Sequence, residues 1–309
     1  MYTLRNRGFT LIEMMVVIAI IGVLAAAMVS QVTKARETAR AVKCKANLRN
    51  LAQAALSYAV DNRHLPYAGS HEVVDTDRSG RMFVYLRRGW VDWTKGNSIE
   101  YWNKDYNDGP SMSGEGTMMT ACSGIAGCIS VTNGTLWSYM GRELSTYVCE
   151  AQKAKVKAET GEREVIYRSY NMNCYFGYNK DFFPYREYWR DIWLNNLSSR
   201  GGADRLLLFA EMAVTQPGKD AKRTKDGVLE TYIDGYNDGR NNKTKPEIIG
   251  FNHRVGKQEV AHVVFADGHV DVFHASVSKG LSDDQKLGLA YFLCNGYDLP
   301  SDRSNWELP

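Results

Sequence analysis

Twenty residues from Phe9 to Met28 carry a single charge, Glu13, and constrain the chain more than any other stretch. At about 1.5 Å rise per residue they make a helix of roughly 30 Å, the thickness of a bilayer's hydrocarbon core. Arg5 and Arg7 stand just before the run, and no proline occurs before Pro66. The helix can therefore continue to Asn62, reaching about 80 Å. Beyond Ser30 the sequence turns polar, with small and apolar residues at Val32, Ala35, Ala39, Val42, Ala46, Leu48, Leu51, Ala55 and Tyr58. Spacings of three and four place an apolar face along the helix, expected to lie against a globular domain. Lys34, Arg36, Arg40, Lys43, Lys45 and Arg49 form a basic outer face.

The segment Gly8-Phe9-Thr10-Leu11-Ile12-Glu13, behind a short basic leader and ahead of an unbroken apolar run, resembles the processing and methylation site of type IV prepilins and type II secretion pseudopilins. The resemblance implies that a membrane prepilin peptidase and methyltransferase cuts after Gly8 and methylates the new amino terminus at Phe9. It also implies an inner-membrane protein, amino terminus in the cytoplasm, drawn by an assembly machine into a helical homo-oligomer in the periplasm or at the cell surface. Glu13 fits on physical grounds. A carboxylate at bilayer depth costs about 2.5 to 3.5 kcal/mol and so requires a partner. The freed amine of Phe9, in the same or a neighbouring subunit, supplies one and would set the filament's register. A secretory signal peptide, for which Ala25 to Ala27 offer a cleavage site, would have an apolar region of about 7 to 15 residues.

This divides the chain into a leader (1–8), a transmembrane and filament-core helix (9–28), its amphipathic continuation (29–62) and an extracytoplasmic head (63–309). The head is long enough to bury a core. A net charge of +3 on 309 residues gives no indication of a nucleic-acid partner. Six cysteines are present, and an extracytoplasmic head permits disulfides. Cys122 and Cys128 form one candidate pair, Cys149 and Cys174 another, with connectivity left open. No spacing matches the C-x2-C of a zinc site, so no metal is expected from the cysteines.

Within the head, residues 133–141 (NGTLWSYMG) and 145–149 (STYVC) resemble a segment of the large pilin-like proteins common in planctomycetes, verrucomicrobia and relatives, where a proline usually stands in place of Glu150. Residues 168–173 (RSYNMN) resemble a strand of the same family. Locally, the first run reads as a short helix over Thr135 to Met140 followed by a strand ending at Cys149. Leu206 to Ala210 reads as a central strand buried on both faces. Residues 108–134 and 216–247, rich in Gly and polar residues, read as surface loops. Asp234 and Asp238 offer oxygen ligands for calcium, which some pseudopilins bind, but without EF-hand spacing; Asx-Gly turns are the preferred reading.

Residues 260–273 (VAHVVFADGHVDVF) predict a hairpin with a two-residue turn at Asp267-Gly268. Pairing Ala266 with His269 would put Val263, Phe265, Val270 and Val272 on a core face, and His262, His269 and Asp271 on an outer one. His253 with Asp267 and Gly268 resembles the carboxy-terminal motif of the pilin-like family, although thirteen residues rather than nine intervene. Ser282 to Gln285 has the form of a capping box before a final helix.

The expected architecture is α+β: a long amino-terminal helix, half transmembrane, packed on a head built around an antiparallel sheet, as in pilins. The expected function is structural, without catalysis or cofactor: no G-x-S-x-G, H-E-x-x-H or phosphate loop is present. Two other readings are a membrane-anchored carbohydrate-binding or adhesin protein using the helix only as anchor, and a filament-tip adhesin. Glu13 argues against the second, since family members that cap filaments often lack that acid.

Overall fold

A computed structural model of the protein describes residues 11–69, 71–76, 82–92, 124–160, 166–173, 176, 202–214, 228–229, 248–276, 285–286, 289–290 and 293–294. Helix α1 (Leu11–Asn62) is continuous over 52 residues. Two strands, β1 (His71–Thr76) and β2 (Met82–Arg87), form a separate antiparallel hairpin. Then follow α2 (Gly124–Asn133), a 3-10 helix (Leu144–Tyr147) and α3 (Glu150–Thr160). The main sheet contains β3 (Tyr170–Asn173), β4 (Leu207–Glu211), β5 (Val228–Leu229), β6 (His253–Val255), β7 (Gln258–Phe265) and β8 (Val270–Ser276). Its order is β5-β3-β4-β7-β6, with β8 also paired to β7. All pairings except the parallel β3–β5 contact are antiparallel. The chain is thus α+β, a long helix laid on an antiparallel sheet.

The two halves of α1 differ in environment. From Leu11 to Val29 every side chain is exposed, and nothing comes near Gly22. Packing against the head begins at Ala41 and follows Cys44, Leu48, Leu51, Ala55 and Ala59, all buried. The apolar stripe read from the sequence is therefore the packed one at Leu48, Leu51 and Ala55, with Tyr58 partly buried, but is off the real one from Val32 to Ala46. Val32 and Val42 are 45% and 61% exposed, and Ala35, Ala39 and Ala46 are exposed as well. The sheet reaches α1 only from Ala41 onward, and at Cys44 and Asn47 it receives polar side chains that an apolar pattern cannot register.

Strand β4 is central and buried at all five positions, as the apolar run required. Phe209 meets the Trp90 ring edge-on at 4.9 Å, and Tyr147 stacks on the other side at 6.1 Å. Gly134 is needed there, because a Cβ would run into the Trp90 carbonyl. Arg168, fully buried, donates from one guanidinium nitrogen to the Tyr170 carbonyl and to Asn171 Oδ1, both at 2.8 Å.

Several local expectations are corrected. Thr135 to Met140 form successive turns rather than a helix, and no strand ends at Cys149. Cys149 instead caps α3: its carbonyl accepts from Lys153 N and its sulfur from Gln152 N. Glu150 is then the first residue of that helix, a position that suits an acid as well as a proline. Part of the expected loop 108–134 is helix α2, and Val228–Leu229 inside the expected loop 216–247 form β5; apart from Gly134, the rest of both lies outside the described residues. The hairpin register is shifted by one. Val264 pairs with Val270, and Gly268 N donates to the Phe265 carbonyl in a turn where only Gly268 has positive φ, 89°. Three residues, Ala266 to Gly268, span the turn, the form in which a type I turn is followed by a left-handed glycine. His262 consequently shares a face with Val270 and Val272, and β7 is buried on both faces from Val260 to Phe265. Residues 285–286, 289–290 and 293–294 are helical; of the expected capping box, residues 282–284 lie outside the described residues.

Candidate functional site

Of the residues singled out for processing and assembly, Gly8 and Phe9 lie outside the described residues. Glu13 stands exposed in the first turn of α1, where an acid is favoured by the helix dipole. Asp234, Asp238, Cys122 and Cys174 also lie outside the described residues. Cys128 and Cys149, the candidate partners of Cys122 and Cys174, are free thiols in this structure. Asp267 and Gly268 serve the hairpin turn: Asp267 Oδ1 accepts from His269 N at 2.9 Å, while the exposed His269 ring stacks on Phe265 at 4.4 Å.

His253 leads elsewhere, into a cluster of titratable groups between α1 and the sheet. Four elements build it. Cys44 comes from the buried stripe of α1, Cys149 from the cap of α3, Glu211 from the last position of β4 and His253 from the first of β6. All four are buried, and one ligand atom from each lies within 4.8 Å of the others. Cys44 Sγ donates to Glu211 Oε1 at 2.9 Å. His253 Nε2 is 3.2 Å from the same oxygen and 3.3 Å from Cys149 Sγ. His262, on β7, brings Nδ1 to 2.6 Å from Glu211 Oε1, with its ring edge-on to His253.

A surrounding layer fixes these groups. Asn252 donates to Glu211 Oε2 at 3.1 Å and to the Met212 carbonyl at 3.0 Å. Tyr170 Oη lies 3.2 Å from Cys44 Sγ. Asn47 donates to the Val148 carbonyl at 3.0 Å, tying α1 to the segment that carries Cys149. Gly250 N donates to the Glu211 carbonyl, and a Cβ at Gly250 would collide with the Met212 carbonyl, so the chain leading to His253 passes hard against the end of β4.

Burial would raise the Glu211 carboxyl, but hydrogen bonds to His253 and His262 and their charge outweigh it and hold it down at about 2. Burial likewise works against His253, which its contacts with Cys149 and Glu211 nevertheless keep up at about 10. The neighbouring Cys44 thiol first, and then His253, bring Cys149 down to about 7 against the effect of burial. Cys44 goes the other way, well above its ordinary value, through burial first and then Cys149 and Glu211. The cluster thus favours an anionic Glu211 and eases ionisation of Cys149, both beside the same nitrogen of His253.

Cysteine, histidine and carboxylate together suggest a nucleophilic triad, but the connectivity is wrong for one. A triad's histidine faces the nucleophile with one nitrogen and its orienting acid with the other. Here the same atom, Nε2, faces both Cys149 and Glu211, and His253 Nδ1 has no hydrogen-bond partner. The group is sealed from solvent, with His253 at 2% and Glu211 at 0% exposure. Sequence reasoning noted His253 but neither Glu211 nor Cys44. The available signal was Glu211 itself, an acid directly after a fully apolar strand. A buried carboxylate demands partners.

Comparison with known proteins defines first a class and then a family. Residues 3–29 match the prokaryotic N-terminal methylation motif. Over 105 residues the chain is 44% identical to the type II secretion system core protein G of Escherichia coli, covering 33% of this chain and 70% of that protein. It is 46% identical over 54 residues to the type IV major pilin protein PilA of Myxococcus xanthus, 18% of this chain and 24% of that protein. A third relative, the core protein G of Pseudomonas aeruginosa, is 40% identical over 62 residues, 20% of this chain and 44% of that protein. The chain is therefore a homologue of pseudopilins and type IV pilins. Residues 33–192 match the family described as protein of unknown function (DUF1559), and the chain belongs to that family. No solved structure matches it.

Proposed function

We propose that the protein is a structural subunit of a type IV pilus-like or type II secretion-like filament. The observation that carries this is the division of α1. One continuous helix leaves every side chain from Leu11 to Val29 exposed and apolar apart from Glu13, while its second half is fixed in the head. Among the described residues this is the one helix long and apolar enough to cross a membrane. Such a surface needs lipid or copies of itself, and a filament core offers the second after the first. The methylation motif over residues 3–29 and the kinship to pilins support the same reading.

In this reading a prepilin peptidase cleaves after Gly8 and methylates Phe9. The precursor waits in the inner membrane with its amino terminus in the cytoplasm and its head outside. An assembly machine then extracts it, Glu13 pairing with the Phe9 amine of a neighbour as subunits pack. Intact mass and amino-terminal sequencing of protein from sheared surface material or native membranes test this. A chain beginning at N-methylated Phe9 is expected. A chain beginning at Met1, or cut near Ala27, would overturn the reading.

A further inference from the structure

We propose that Cys44, Cys149, Glu211 and His253 form a closed, structural binding site for a divalent transition metal of the zinc type. Neither the kinship to pilins nor the filament reading assigns it. The argument starts from distances. Zinc bonds of about 2.3 Å to sulfur and about 2.0 to 2.2 Å to nitrogen and oxygen make tetrahedron edges of roughly 3.3 to 3.8 Å. The edges found are 3.2 Å for His253 to Glu211, 3.3 Å for Cys149 to His253 and 2.9 Å for Cys44 to Glu211. All four donor atoms fall within 4.8 Å of one another, so shifts of roughly half an ångström to one ångström, opening the shortest edge and closing the longest, would seat an ion between them.

The donor set selects the metal. Two sulfurs, one imidazole nitrogen and one carboxylate oxygen suit borderline-soft zinc and disfavour calcium and magnesium, which take oxygen alone. With both thiols ionised, the ligands would bring three negative charges to a divalent cation, largely neutralising groups that are otherwise costly to bury together. The convergence of two neighbours on His253 Nε2, which spoils a catalytic triad, is what a shared ligand point requires.

Three of the four ligating groups, Glu211, Cys44 and Cys149, are held in turn by others, as metal sites need. His262 and Asn252 engage the two oxygens of Glu211; Tyr170 and the Gln152 amide engage the two sulfurs. All four ligands are buried and come from protein, which leaves no open position for substrate. The role is structural: the ion would clamp α1 to α3, β4 and β6, the junction across which any pull on the filament-forming helix must pass into the head.

The full-length protein, extracted in detergent from membranes, tests this by metal analysis and titration with Zn²⁺ and Co²⁺. Expected are about one zinc per chain, a fall in the head's thermal midpoint on chelation restored by Zn²⁺, and a thiolate-to-metal charge-transfer band with Co²⁺. His262→Gln, which leaves all four ligands in place, should weaken metal binding roughly 10- to 100-fold. Cys128→Ser should leave it unchanged. Wild-type protein that takes up neither ion after reduction, or a Cys44–Cys149 disulfide as its stable form, would overturn the proposal. So would Co²⁺ binding without a thiolate band.

Discussion

The two ends of α1 obey different rules although one hydrogen-bonded ladder joins them. Between Leu11 and Val29 the helix is apolar apart from Glu13, and every side chain is exposed. Between Ala41 and Ala59 it is apolar along one stripe, and that stripe includes Cys44 and Asn47, which bond to the head. The exposed first half buries no apolar surface in an isolated subunit. The second half belongs to the head's core. A helix that is hydrophobic all round belongs in lipid or among its own copies, whereas a striped one belongs on a domain. Assembly and folding are thereby separated along one element, and mutations should sort accordingly.

The largest effect is expected from Leu51→Ala. Leu51 is fully buried in the core shared by α1 and the sheet, and truncation of such a side chain costs about 2 to 5 kcal/mol. Denaturant unfolding of the head should show that loss, while the amount of protein retained in the membrane fraction stays the same. Ile18→Arg is the mirror image. Ile18 is 62% exposed in the apolar half, and a charge at mid-bilayer costs about 2.5 to 3.5 kcal/mol on insertion scales. Membrane retention should drop and the head's unfolding midpoint should not move. If either substitution changes both readouts, the halves are coupled and the division fails.

What could be read from the sequence follows the same division. The apolar run, the continuous helix and the buried strand expected over Leu206 to Ala210 are local patterns, legible because a period of 3.6 or a short apolar run reports directly on burial. The packed face of α1 is legible from Leu48 onward but not ahead of it, where two buried positions, Cys44 and Asn47, are held by bonds as well as by packing. The hairpin was found, but not its register, since Asp-Gly fits both a two-residue turn and the three-residue turn that Gly268 makes. The buried cluster was the least legible. Cys44 and Glu211 are 167 residues apart, Cys149 and His253 are 104 apart, and only tertiary structure brings them together. Motif spacing finds a metal centre when its ligands lie on one turn or hairpin; this set draws on four elements.

The smallest effect is the most discriminating. Val42 falls on the face that periodicity assigns to the head, yet it is 61% exposed, two residues before the buried Cys44. Val42→Ala should therefore change the stability of the isolated subunit by no more than about 0.5 kcal/mol, as for other surface positions. A loss of more than about 1 kcal/mol would mean that the stripe inferred from the sequence is the one that packs. Val42 lies between the uncovered half of the helix and the first strong contact with the head. If the variant folds normally but yields fewer filaments, its apolar surface serves a neighbouring subunit. The boundary between assembly surface and core would then lie within one helical turn of Cys44.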